Sequence, residues 1–163
     1  KVAEHALRYL SKDFIKYSFL ERGSDERQYC SPGIDLPVCD LMRTKYGKYP
    51  EYHTSLDDLD LISPKGLMGG FNLIKNALTL VENNVKYRNL ILCEPQLGRR
   101  GLYPTLSTKA PKNHVRKMMN FIAYVDGSKD LIDIANLIEY NAVELIEVAN
   151  VFLKEGIIEI VND

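Results

Sequence analysis

The sign of the charge changes once along these 163 residues, and the hydrophobic rhythm changes with it. Residues 1–113 hold 17 basic and 13 acidic side chains, a net of +4; residues 114–163 hold 4 and 9, a net of −5. One well-mixed domain has no reason to sort its charges in this way. The chain therefore reads as two units, 1–110 and 111–163, joined near 108–113 at Lys109-Ala110-Pro111-Lys112. An apolar fraction of 45% and a charged fraction of 26%, almost evenly split, exclude a disordered chain and a polybasic nucleic-acid binder. No run approaches the roughly 18–20 apolar residues of a membrane span.

The first half alternates strand-like and helix-like patterns. Val2, Ala6, Leu7 and Leu10 share one face of a short helix. Phe14 to Leu20 predicts a strand, with Ile15, Tyr17 and Phe19 on one side; Leu36 to Met42, apolar on both faces, predicts a buried one. Ser63-Pro64 is a helix start, with serine on the orphan amides and proline at the first helical position. Leu67, Phe71, Ile74, Leu78 and Val81 then mark an amphipathic helix ending at Asn83-Asn84. Residues 87–93 predict a further strand and 94–108 a loop.

The second half is made of short helices. Val115, Met118, Met119 and Ile122 mark the first, stopped by Asp126-Gly127. Ser128 is placed to cap the second, through Leu131, Ile134, Ala135 and Ile138, and Asn141 with Glu144 resembles a capping box for the third. Gly156 ends that helix before a terminal strand in IIEIV. Three short helices and a β segment predict a winged-helix module.

Cys30, Cys39 and Cys93 form neither a CxxC clip nor an even disulfide framework, so reduced thiols in a cytoplasmic setting are expected. The opening Lys-Val-Ala-Glu-His has no methionine and no signal-like region, and reads as if cut from something longer.

Three segments carry chemistry. One runs Gly23-Ser24-Asp25-Glu26-Arg27-Gln28-Tyr29 and on through Gly33-Ile34-Asp35-Leu36-Pro37-Val38; another is Tyr52-His53-Thr54-Ser55-Leu56-Asp57-Asp58; the third is Cys93 to Pro104, with Arg99-Arg100 between glycines. Read singly, the first is a charged loop, His53 a lone histidine and the third an exposed loop between domains. In this order they resemble the bacterial zinc aminopeptidase-like proteins with a C-terminal winged helix, often associated with polysaccharide biosynthesis. Glutaminyl cyclases share the Tyr-His-Thr motif. The resemblance covers essentially the whole chain. It implies an α/β fold: the C-terminal part of a three-layer α/β/α zinc-peptidase-like domain, followed by a winged-helix domain.

The resemblance also implies roles. His53 sits where such enzymes place their final zinc-ligand histidine, Asp57 stands behind it or at the helix entry, and Asp25 is an active-site acid. Tyr52 walls a substrate pocket, and Arg99 and Arg100 reach an anionic group such as a peptide carboxylate. The family's upstream His, bridging Asp, paired Glu and further carboxylate have no counterpart in this chain. A catalytic zinc needs about three protein ligands and a polarised water. The chain is thus expected to be inactive alone and to hold zinc weakly or not at all. In the intact protein, zinc-activated water attacks an amide or peptide bond. The expected partners are a peptide or amide substrate and the upstream remainder of the same protein; a homo-oligomer stays open.

Winged helices often lay their third helix in DNA. Here that helix carries Glu144, Glu147 and Glu155 against Lys154 alone, and carboxylates facing phosphates repel, so duplex DNA is not the expected partner. The competing readings are a winged-helix DNA-binding regulator, a glutaminyl-cyclase-like acyltransferase and a noncatalytic interaction scaffold.

Overall fold

The computed structural model describes residues 1–102 and 109–161. It divides into two compact units: Ala6–Ala77, and Lys1–His5 together with Leu78–Asp163. The join expected near 108–113 does not coincide with this division: residues 109–113 begin the helix Lys109–Ile122 inside the second unit, and residue 108 lies outside the described residues.

The unit Ala6–Ala77 is mostly loop. It holds the greater part of α1 (Val2–Leu10), the single-turn helix α2 (Glu26–Tyr29) and the first part of α3 (Pro64–Asn83). Ser63 starts α3 as expected, its Oγ accepting from the Gly66 N–H at 3.1 Å. The strands expected at 14–20 and 36–42 do not form: 14–18 is irregular, Phe19–Glu21 is a 3-10 turn, and 36–42 joins no ladder. Alternating apolar residues select a face, but a strand exists only against a neighbour. Among the described residues neither segment has one, and Ile15, Leu36 and Val38 stay exposed. The stripe of α3 forms as read and is also uncovered, with Leu67 63% and Val81 62% exposed.

The second unit is a winged helix. Its sheet has the order β2-β1-β3, with β1 (Lys86–Asn89) in the middle and antiparallel to both β2 (Asp126–Asp130) and β3 (Ile158–Val161). Helices α4 (Lys109–Ile122), α5 (Leu131–Leu137) and α6 (Ala142–Lys154) complete it. Phe121 joins the layers, edge-on to Tyr87 at 6.0 Å and stacked with Phe152 at 6.2 Å. Leu131, Ile134, Leu145, Val148 and Ile157 fill the space around them. Each such side chain contributes about 1.5–3 kcal/mol by leaving water.

One cap differs from the reading of the sequence, and the capping box at the third helix forms only through its asparagine. Ser128 does not cap α5; it lies in β2, where its hydroxyl donates to Asp126 Oδ1 at 2.6 Å. The cap is Asp130, whose Oδ1 accepts from the Asp133 N–H at 2.9 Å, while Asn84 Oδ1 takes the Ile132 N–H at 2.9 Å. Both are oxygen acceptors beside a helix start; the β2 ladder holds Ser128 too early to serve. At α6, Asn141 caps through the Val143 N–H at 3.1 Å, and the Glu144 carboxylate accepts from Lys117 on α4. Gly156 ends α6 at φ +63°, the left-handed conformation expected of it.

A carboxylate and imidazole cluster in Ala6–Ala77

The candidate site lies in the loops of the first unit and is held by Tyr46. Glu26, at the start of α2, turns its carboxylate back on its own chain. Oε1 accepts from the Gly23 N–H at 2.7 Å, Oε2 from the Ser24 N–H at 3.1 Å, and the Tyr46 hydroxyl donates to Oε1 at 3.3 Å. The Tyr46 ring lies so close to Gly23 that a Cβ there would meet Cε2 at 2.7 Å, so glycine is the residue the approach permits. Lys45 Nζ sits over the same ring, 3.8 Å from its centroid.

Glu26 is paired with Asp40. Partial loss of water works against its charge, but the Gly23 and Ser24 amides and a hydrogen bond with Asp40 outweigh it and hold Glu26 at about 2. Partial burial pushes Asp40 up, helped by that bond and by the negative charges of Glu26 and Asp25. The shared hydrogen bond thus acts in opposite directions on the two carboxyls, lowering Glu26 and raising Asp40.

The other end of the cluster is aromatic. Tyr46 and Tyr52 are 6.3 Å apart, Tyr49 stands edge-on to Tyr52 at 5.6 Å, and the His53 imidazole stacks on Tyr52 at 4.0 Å and 15°. His53 has left-handed backbone, φ +59°, and is exposed. That conformation is uncommon for a side-chain-bearing residue. Asp57 is exposed and accompanies the group: the Tyr49 hydroxyl is pushed up first by partial burial, then by the Asp57 charge.

Of the residues singled out from the sequence, Asp25, Tyr52, His53 and Asp57 thus belong to this unit. The carboxylate with the backbone contacts is Glu26, not its neighbour Asp25, which makes no capping hydrogen bond at α2. Glu26, Asp40 and Tyr46 were not legible as a group, because a hydrogen bond across 20 residues leaves no local pattern. Arg99 and Arg100 are carried by the winged-helix unit, on the 3-10 turn Leu97–Arg100 anchored by fully buried Leu97. There Arg100 Nη1 donates to the Glu155 carbonyl at 3.1 Å, and Arg99 is exposed. Tyr103 and Pro104, the end of that motif, lie outside the described residues.

The donor chemistry at His53 fits a zinc ligand, but not a zinc site. Among the described residues no three His, Cys, Asp or Glu side chains converge to hold a metal ion. No helix among them is long and apolar enough to cross a membrane.

Comparison with known proteins also finds two parts, meeting at 84/85 rather than at 77/78. Residues 1–84 match the family described as a domain of unknown function, DUF4910, and residues 85–160 match a winged helix-turn-helix family. A Clostridium acetobutylicum protein, named for polysaccharide biosynthesis with an aminopeptidase-like domain, is 38% identical over 137 residues, 83% of this chain and 31% of that protein. A crystal structure from the same species, named as a peptidase, superposes with a TM-score of 0.81 at 32% identity, covering 98% of this chain and 35% of that one. The chain spans about a third of the length of these relatives. It belongs to the DUF4910 family, among aminopeptidase-like proteins that continue into a winged helix.

Proposed function

We propose that this chain is part of an aminopeptidase-like hydrolase of amide or peptide bonds, and that it supplies the intact protein with one metal-ligating imidazole, His53. The observation that carries the reading is the turn at 52–53. A left-handed, exposed His53 is stacked on Tyr52, which fixes the plane of a ring whose nitrogens are metal-ligand donors. Zinc, when bound, would activate a water for attack on the carbonyl; the other ligands and the base would come from the remainder of the same protein. The residues of this chain orient and exclude. Tyr52 backs the imidazole and walls the site, Asp57 adds a negative charge at the turn, and Asp25 is offered as an acid beside the substrate. Uncovered apolar surface on α3 and at 36–38 supports burial against that remainder.

The test uses the full-length protein. His53→Ala should lose most of its bound zinc and its aminoacyl-amide hydrolysis, while His53→Gln should keep the fold without restoring the metal. Full zinc retention by His53→Ala would remove the ligand assignment.

The regulator reading gains no support from the geometry. Helix α6 exposes Glu144 and Glu147 on the face that a winged helix would offer to a groove.

A further inference from the structure

The segments 26–30 and 36–40 run side by side, tied at three points. The Leu36 N–H donates to the Tyr29 carbonyl at 2.8 Å, and Glu26 and Asp40 share a side-chain hydrogen bond. The third tie is Cys30, whose thiol lies 3.3 Å from both the Leu36 and the Val38 carbonyl oxygens. Cys39 follows Val38 directly and is exposed, while Cys30 is half-buried. A carbonyl oxygen lies about 2.8 Å from the next Cα, so the Cys30 sulfur is within roughly 6 Å of the Cys39 Cα. Adding the roughly 3 Å from that sulfur to its own Cα puts the two Cα atoms at most about 9 Å apart, against about 4.4–6.8 Å in a formed disulfide. Closure therefore turns both side chains and, at that limit, draws the segment at Cys39 about 2 Å toward Cys30.

We propose that Cys30 and Cys39 are a dithiol modification site, closed to a disulfide by hydroperoxides. The exposed Cys39 sulfur takes one peroxide oxygen, becomes a sulfenic acid and releases the other oxygen as water. The Cys30 sulfur then displaces that hydroxyl, its own proton leaving with it as a second water. Two thiols and one hydrogen peroxide give one disulfide and two waters; the sulfurs lose two electrons and the O–O bond gains them. The bond would lock α2, and with it Glu26, against the segment that carries Asp40. Cys93 belongs to the other unit and has no part in the step.

Hydrogen peroxide is the probe. The chain is treated with it, remaining thiols are alkylated, and peptides are mapped by mass spectrometry without reduction. The expected product is a Cys30–Cys39 cross-linked peptide, lighter by two hydrogens and reversed by dithiothreitol, with Cys93 still alkylated. Cys30→Ser keeps a hydrogen-bond donor at the same carbonyls, so the loop stays folded; Cys39 should then stop at sulfenic or sulfinic acid. Independent oxidation of Cys30 and Cys39 in the parent chain, or cross-links made equally to Cys93 or between chains, would overturn the proposal.

Discussion

His5 Nε2 accepts the backbone N–H of Ala142 at 2.9 Å, so a histidine near the start of the chain satisfies the first amide of α6. The same ring donates from Nδ1 to Asn136 Oδ1 at 2.9 Å, and only 1% of the residue is exposed. An acceptor at Nε2 and a donor at Nδ1 fix one neutral tautomer.

Replacing His5 by Phe keeps the volume but strands a buried amide and the Asn136 oxygen. The variant should lose about 1–3 kcal/mol, the usual cost of an unsatisfied buried group. Urea unfolding checks this; an unchanged midpoint would show that water replaces both partners.

Asp130 links the chain start to α5. Burial pushes its carboxyl up, but Lys1, the Asp133 amide and Asn84 outweigh that and hold it below the ordinary value. A carboxyl depressed in the folded state adds stability that is present above its unfolded pKa, about 3.9, and is lost as pH falls through the folded pKa. Lys1 is raised, despite the opposing effect of burial, by Asp130 and Asp133, so its share is lost only as pH rises through that elevated value. Asp130→Ala should therefore cost about 1 kcal/mol at neutral pH through the lost cap. The gap should narrow in acid. Denaturation midpoints across the acid range would show the two curves converging.

Gly23→Ala places a methyl against the Tyr46 ring, and overpacking of this kind costs about 1–3 kcal/mol where a neighbour cannot move. The Tyr46 and Tyr52 ring signals in NMR should shift together. Tyr46→Ser in the same chain should relieve the strain; absence of rescue would mean that the backbone at residue 23 is the obstacle.

Asp40→Asn offers Glu26 a donor that does not titrate. Since Asp40 is raised in the folded chain, its favourable contribution is present below the unfolded pKa and fades as pH rises through the folded value. The amide variant should thus slow hydrogen exchange at Gly23 and Ser24 near neutral pH, and Glu26→Ala should speed it.

Duplex DNA should not shift with this chain, even at low salt, where attraction is least screened. Reversing Glu144 and Glu147 to Lys should produce weak, salt-sensitive binding. A shift by the parent chain would point to a basic surface away from α6.

What the sequence disclosed was local. Helix α3 and its serine start, the Asn141 cap and the Gly156 stop are each written within a turn or two of chain, and each formed as read. What it withheld was pairing. Phe14–Leu20 and Leu36–Met42 have the composition of strands, yet composition does not supply a neighbour. Residues 86–89 found neighbours at 126–130 and 158–161, which no spacing announces. The site divides in the same way: Tyr52, His53 and Asp57 are contiguous and were legible, whereas Glu26, Asp40 and Tyr46 meet only through the folded loop.

The strand that comes first in the C-terminal sheet stands in its middle. Any piece of chain that begins after Asn89, the span 111–163 included, carries two border strands and nothing to join them. Such a piece would present four raw edges in place of two, an invitation to stick to its own kind. The winged helix is therefore indivisible at its front. Gene fusion or trimming can move it only as a block that opens before Lys86, so its hereditary unit is longer than its run of helices suggests.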